Sequence, residues 1–172
     1  VASFKKPKVY WLDADAYIQS KDELNGPYTF KRVPAFWDYL SRQIDAGIVR
    51  SPKVVYNEIA KGNDNLADWF REREDRGLAI VGDARVHTWA GKISDYVVQR
   101  FGDRKAREFL RGGDLWVIAH AKAMGSDAVV VSHESLRQQE SRVKIPAVCI
   151  KFGVQRISIF AMLNQLGARF ES

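Results

Sequence analysis

An α/β fold with a central, mostly parallel β-sheet flanked by helices is predicted by three features of the sequence. Short apolar runs, chiefly Val9–Leu12 and residues 128–132, are separated by stretches with helical signals. The second run, AVVVS, is continuously apolar and β-branched, which suits a parallel strand covered on both faces. No repeat, low-complexity tract or Pro/Gly/Ser-rich linker divides the 172 residues, so residues 1–172 read as a single domain with one core.

Along the chain, Val9–Leu12 reads as a buried strand ending in acids. Asn25-Gly26-Pro27 marks a turn. Residues 34–46 form a helix, opened by Pro34 and stopped by Gly47. Ser51 caps the next helix with Pro52 at its first position, and Gly62 follows its end at residue 61. Residues 64–76 make a third, charged helix ended by Gly77. Residues 78–81 are a short strand or an extended connection. Long helical segments follow over 84–101 and 103–110. After Gly112-Gly113, Asp114 opens a helix that runs to Met124, and AVVVS is the next strand. Residues 146–152 form a helical turn, 154–157 a last strand, and 159–166 a final helix stopped by Gly167.

Composition narrows the function classes. A hydrophobic fraction of 46% with 28% charged residues is too apolar for a disordered chain. No apolar run approaches the ~18 residues of a membrane span. The first eight residues carry charge without an apolar run, so they do not read as a secretory signal. The single cysteine, Cys149, lies in an apolar stretch and reads as a small core residue; without an internal disulfide, the cytoplasm is the simplest compartment. The 27 Lys and Arg exceed the 21 Asp and Glu, a net +6 that favours an anionic partner such as nucleic acid. A mildly basic protein with no such partner would have the same balance.

In parallel α/β sheets the functional site gathers at the carboxyl ends of the strands. Asp13 and Asp15 leave the first strand there, and Ser132-His133-Glu134 leaves AVVVS. Asp114 opens a helix after two glycines, and Glu58 lies inside the helix around Val54-Val55-Tyr56-Asn57. Carboxylates gathered in one cleft repel, and a hard divalent cation such as Mg²⁺ relieves the repulsion. Such ions can activate a water and stabilise the leaving oxygen in phosphodiester hydrolysis. Each acid also has a plainer reading. Asp13 and Asp15 could shape a turn, Asp114 could only cap a helix, and Glu58 and Glu134 could face solvent. His87, His120 and His133 are scattered with no pairing suited to zinc.

The same segments resemble PIN domains. Tyr10-Trp11-Leu12-Asp13-Ala14-Asp15-Ala16-Tyr17-Ile18 is similar to the family's opening strand and turn. Val55-Tyr56-Asn57-Glu58-Ile59 matches its internal acid-bearing helix. Gly113-Asp114-Leu115-Trp116-Val117-Ile118-Ala119, then Val129-Val130-Val131-Ser132-His133-Glu134, matches its later motif pair. Order and spacing agree over residues 9–166. The closest resemblance is to an uncharacterised bacterial and archaeal PIN-like subfamily, through Phe36-Trp37-Asp38, Ala67-Asp68-Trp69 and the end from Lys144-Ile145-Pro146 to Arg169-Phe170. The resemblance implies an α/β/α sandwich and Mg²⁺- or Mn²⁺-dependent endoribonuclease activity, often that of VapC-type toxins held by an antitoxin. It implies Asp13, Asp114 and Glu134 as metal ligands. Glu58 would hold a metal or orient the attacking water, and Ser132 would support the site through its hydroxyl. The family often forms homodimers. This chain departs from the common pattern at Asp15, at Glu134 in place of Asp, and at Arg137 in place of an aromatic.

The opening Asp13-Ala14-Asp15 also resembles haloacid-dehalogenase-like phosphatases, with Asp13 as nucleophile and Asp15 as acid/base. That family's last motif needs a second acid after Asp114, where this chain has Ile118 and Ala119. A third possibility is an inactive PIN-like module that binds RNA or protein. Arg104, Arg107 and Arg111 share one helical face leading to Gly112-Gly113-Asp114 and are candidates for phosphate contact; a solvated face is the plainer account. Lys5, Lys6 and Lys8 form a candidate basic arm, and the five tryptophans read mainly as core.

Overall fold

The computed structural model describes residues 6–22, 28, 33–134 and 142–170. The turn expected at Asn25-Gly26-Pro27, Lys5 of the basic arm and Arg137 lie outside the described residues. The centre is a four-stranded sheet of order β2-β1-β3-β4, and every pairing in it is parallel. Strand β1 (Val9–Leu12) pairs with β3 (Ala128–Val131) from Val9↔Ala128 to Leu12↔Val131. Strand β2 (Val49–Arg50) flanks β1, and β4 (Arg156–Ile157) flanks β3. The β1–β3 register has a direct consequence: both central strands end level, so Asp13 and Ser132 leave the sheet side by side. The Asp13 amide even continues the ladder, donating to the Val131 carbonyl at 3.2 Å.

The edge strand β2 escaped sequence reading because two residues carry no periodicity. It exists because the Tyr10 amide donates to the Ile48 carbonyl, which fixes that segment against β1. The sequence also suggested only a turn after β1, where the chain forms helix α1 (Ala14–Lys21). Asp13 starts this helix by accepting the Ala16 amide at 2.8 Å.

Helix α2 (Pro34–Asp45) begins with its proline, as expected, and ends before Gly47, whose φ of 72° suits glycine. Helix α3 (Lys53–Ala60) requires a correction. Ser51 does not cap it; Pro52 holds that position without a side-chain bond. The Ser51 hydroxyl is buried and donates to the Leu12 carbonyl at 3.0 Å. Its only proton being used, it accepts from the Tyr17 hydroxyl at 2.8 Å. The charged helix expected over 64–76 divides into α4 (Asn65–Arg71) and a 3₁₀ turn, Glu74–Arg76. The Arg73 guanidinium donates to the Trp69 carbonyl, satisfying an end that a continuing helix would have covered.

The two segments around residue 102 join as α5 (Ala84–Arg111), broken at Gly102 by a φ of 79°. Helix α6 (Asp114–Met124) buries residues on nearly every side, including Leu115, Val117, Ile118 and Ala119. It packs on β1 and β3 and is covered in turn by α5. Helices α7 (Ile145–Phe152) and α8 (Ile159–Gln165) complete the described chain. Trp11, Trp37 and Trp69 are buried and Trp89 and Trp116 half-buried, so packing accounts for them. Cys149 is also core, and burial pushes its thiol up to about 12, well away from reactive thiolate character. Among the described residues, no helix is long and apolar enough to cross a membrane.

Candidate active site

The acids of the sequence motifs sense one another's charge around the ends of β1 and β3. Asp13 is 1% exposed at the junction of β1 and α1. One of its oxygens accepts the Ala16 amide. Glu58, on α3, accepts the Gly113 amide at 2.8 Å through Oε1. Glu134, buried after β3, accepts the Ile145 amide at 2.8 Å through Oε2. Three carboxylates from three separate segments are each oriented by one backbone N–H, and each retains a second oxygen that no backbone donor among the described residues occupies. In the case of Glu134, that second oxygen faces the Arg142 guanidinium at 3.4 Å. Asp114 opens α6 directly after Gly113, the residue whose amide holds Glu58.

The electrostatics tie these groups together. Burial, foremost, and then the charges of Glu134, Asp15 and Glu58 push the Asp114 carboxyl up to about 7, with Arg142 opposing. Asp13 is held well above the ordinary carboxylate range, first by burial and then by Asp114, Asp15 and Glu134, against the lowering effect of the Ala16 amide. Glu58 is raised by burial and, more weakly, by Asp15; the Gly113 amide and Lys61 oppose this. Asp15, half-exposed in the first turn of α1, thus acts on all three. Five carboxylates share one field. Among the described residues no three His, Cys, Asp or Glu side chains stand together as a group that could hold a metal ion.

The glycine pair before Asp114 has a steric reason. A Cβ on Gly113 would stand 2.5 Å from Cγ2 of Val55 and 3.3 Å from Oε2 of Glu58. A Cβ on Gly112 would stand 3.2 Å from Oε1 of Glu58. Gly113→Ala is therefore expected to cost about 1–3 kcal/mol by overpacking and to push Glu58 off its amide. Urea unfolding measures the first effect. Gly112→Ala, whose one tight contact is with the tip of a side chain, should be clearly milder.

Ser132 is fully buried, and its hydroxyl accepts from Arg156 at 3.3 Å. The same guanidinium nitrogen donates to the Glu134 carbonyl at 2.6 Å, so Arg156 clasps the segment carrying Glu134. Sequence reasoning missed Arg142, Arg156 and the Ile145 amide. Only the position of β4 beside β3 and the return of the chain at Arg142 bring them to Glu134, and no local pattern announces either. The Tyr17–Ser51–Leu12 chain of hydrogen bonds was also missed; it braces the end of β1 from below α1.

The three arginines of the predicted stripe do not all line one groove. Arg104, Arg107 and Arg111 are all exposed on α5. A groove outside the acidic centre is lined by Arg104, Lys105, Glu108 and Arg142, and not by Arg107 or Arg111. The histidines lie elsewhere or apart. His120 stacks on Trp11 with ring centroids 4.5 Å apart, His87 meets the edge of Trp116, and His133 is exposed.

Comparison with known proteins bears on both fold and family. Residues 10–170 match the family model described as a domain of unknown function, DUF4411. No curated protein matches the chain. Among solved structures, VapBC2 from Rickettsia felis bound to a DNA fragment from their promoter superposes with a TM-score of 0.52 at 13% identity, covering 87% of this chain and 98% of that one. VapBC-1 from nontypeable Haemophilus influenzae gives a TM-score of 0.53 at 17% identity, covering 87% of this chain and 97% of the other. At these identities the likeness speaks for the fold: an α/β/α, PIN-like arrangement.

Proposed function

The chain belongs to the DUF4411 family, and on its PIN-like fold we propose that it is a Mg²⁺- or Mn²⁺-dependent endoribonuclease. The observation that carries this is the set of three acids, Asp13, Glu58 and Glu134, each steered by a backbone amide around Asp114. Such a concentration of partly buried carboxylates fits a hard divalent cation. Its donors are all oxygen, and its charge is offset within the cluster mainly by Arg142, opposite Glu134.

Asp13, Asp114 and Glu134 would hold the cation. When bound, it supplies charge compensation for the phosphate and a more acidic water. Glu58 keeps its Oε1 on Gly113 and has Oε2 to orient the attacking water. Arg156 and Ser132 hold the Glu134 segment in place, and Asp15 adds negative charge that strengthens cation binding. The exposed Arg104, which lines a groove together with Arg142, supplies positive charge for the substrate backbone.

The likeness to VapBC assemblies supports a protein partner as a second part of this reading. The chain would act as a toxin whose cleavage an antitoxin suppresses, and it would self-associate as a homodimer. The decisive test is cleavage of labelled single-stranded RNA with Mg²⁺, Mn²⁺ or EDTA, beside hydrolysis of p-nitrophenyl phosphate. Metal-dependent cutting of RNA supports the nuclease. Hydrolysis of the small ester without RNA cutting would transfer the site to a phosphatase using Asp13 and Asp15.

A further inference from the structure

Arg142 stands where two features meet. Its guanidinium faces Oε1 of the buried Glu134, yet its side chain is 51% exposed. It also lines the groove formed with Arg104, Lys105 and Glu108 from the second half of α5. Arg104 and Lys105 have no ion-pair partner among the described residues. Among its described lining residues the groove is net positive, and Arg142 is its link to the acids.

We propose that this groove is the track along which the backbone of single-stranded RNA enters the acidic centre, and that Arg142 is the positioning residue at its inner end. The inference rests on the nuclease reading above. In the ligand-free protein Arg142 offsets the charge of Glu134. A phosphate arriving from the groove offers the guanidinium a stronger, bidentate partner; a cation held by Asp13, Asp114 and Glu134 would supply the positive charge that Glu134 then loses. Arg104 and Lys105 bind the phosphates further out. Glu108 repels a phosphate at its own position, so binding concentrates on either side of it. RNA is favoured as the occupant because Arg104, Lys105 and Arg142 present a series of cations suited to the repeated charge of a phosphodiester backbone.

The test uses the full chain bearing Asp114→Asn in EDTA, with a labelled single-stranded RNA. Its dissociation constant is measured against KCl concentration. Removing one phosphate-binding side chain should flatten the log–log slope by about 0.7. Arg142→Ala, Arg104→Ala and Lys105→Ala should each do so, Arg142→Lys should restore most of the slope, and Arg107→Ala and Arg111→Ala should leave it unchanged. In the otherwise wild-type enzyme, Arg142→Ala should raise KM more than it lowers kcat. Slopes insensitive to Arg142 and Arg104, or flattened through Arg107 and Arg111 instead, would overturn the track. So would salt-sensitive binding of a poly-glutamate peptide at these residues with no RNA binding. RNA cleavage by the wild type with no effect of Arg142 would leave the nuclease standing and remove only the track; RNA held by these residues without cleavage would do the reverse.

Discussion

Asp114→Asn is expected to abolish metal-dependent RNA cleavage and, at the same time, to raise the melting temperature of the metal-free protein. The loss in kcat/KM should exceed about 100-fold, since removing even an outer support of a ligating group costs roughly 10–100-fold. The gain in stability follows from the charge Asp114 carries at neutral pH. Its carboxyl is pushed up to about 7 by burial and by Glu134, Asp15 and Glu58, so ionising it there works against folding. A neutral amide of nearly the same shape escapes that cost, which amounts to about 1.4 kcal/mol for every tenfold change in proton affinity between the folded and unfolded chain. Opposite signs for activity and stability are the useful feature. A substitution that merely damaged the fold would lower both, and a melting temperature that fell with activity would remove Asp114 from the proposed role.

Stability of the metal-free wild type should decline as pH rises from about 4 through about 7, the window set by Asp114. The sign follows from linkage. Asp114, Asp13 and Glu58 all have folded-state values raised above those of the unfolded chain. Through that window the folded protein holds protons that the unfolded chain has released, so raising pH favours unfolding. His120 opposes this. Burial depresses it from 6.5 to about 4, so its contribution is present above pH 6.5 and is lost as pH falls toward 4. The difference between wild type and Asp114→Asn, taken across pH, isolates the carboxylate. Mg²⁺ or Mn²⁺ should reverse the trend above pH 7, stabilising by about 2.7 kcal/mol at a hundred times its dissociation constant. That gain should fade toward pH 5 as protons compete for the ligands. Thermal melts at several pH values, with and without the cation, measure both effects. A cation effect equal in wild type and Asp114→Asn would place the ion elsewhere.

Much of this site was legible in the residues alone. Asp13 after an apolar strand, Asp114 after two glycines and Glu134 after AVVVS are local signals, since a strand end and a helix start are written in neighbouring residues. Glu58 needed the family resemblance, because a glutamate in a short helix looks like any solvated one. Its partner explains why: the Gly113 amide lies 55 residues away. The expected cap at Ser51 failed for a related reason. A serine before proline at a helix start satisfies every local rule, but the strand end at Leu12 and the hydroxyl of Tyr17 compete for its oxygen and prevail. The arginine stripe could be read from helical spacing, but the groove shared by Arg104 and Lys105 could not, because it depends on where Arg142 returns.

By itself the sequence determined that the chain is α/β, that its two central strands are Val9–Leu12 and the AVVV run, and that acids stand where those strands end. Periodicity, β-branching and helix punctuation act between residues a few positions apart, so they survive in a one-dimensional reading. The tertiary structure alone decided that β1 and β3 end level, that single amides from Ala16, Gly113 and Ile145 aim three carboxylates, and that Arg142 and Arg156 attend Glu134. The β1–β3 pairing, the Glu58–Gly113 bond and the Arg156–Glu134 bond join residues far apart in the chain, and their energy comes from burial and charge in a shared cleft, quantities that exist only once the chain has closed around it.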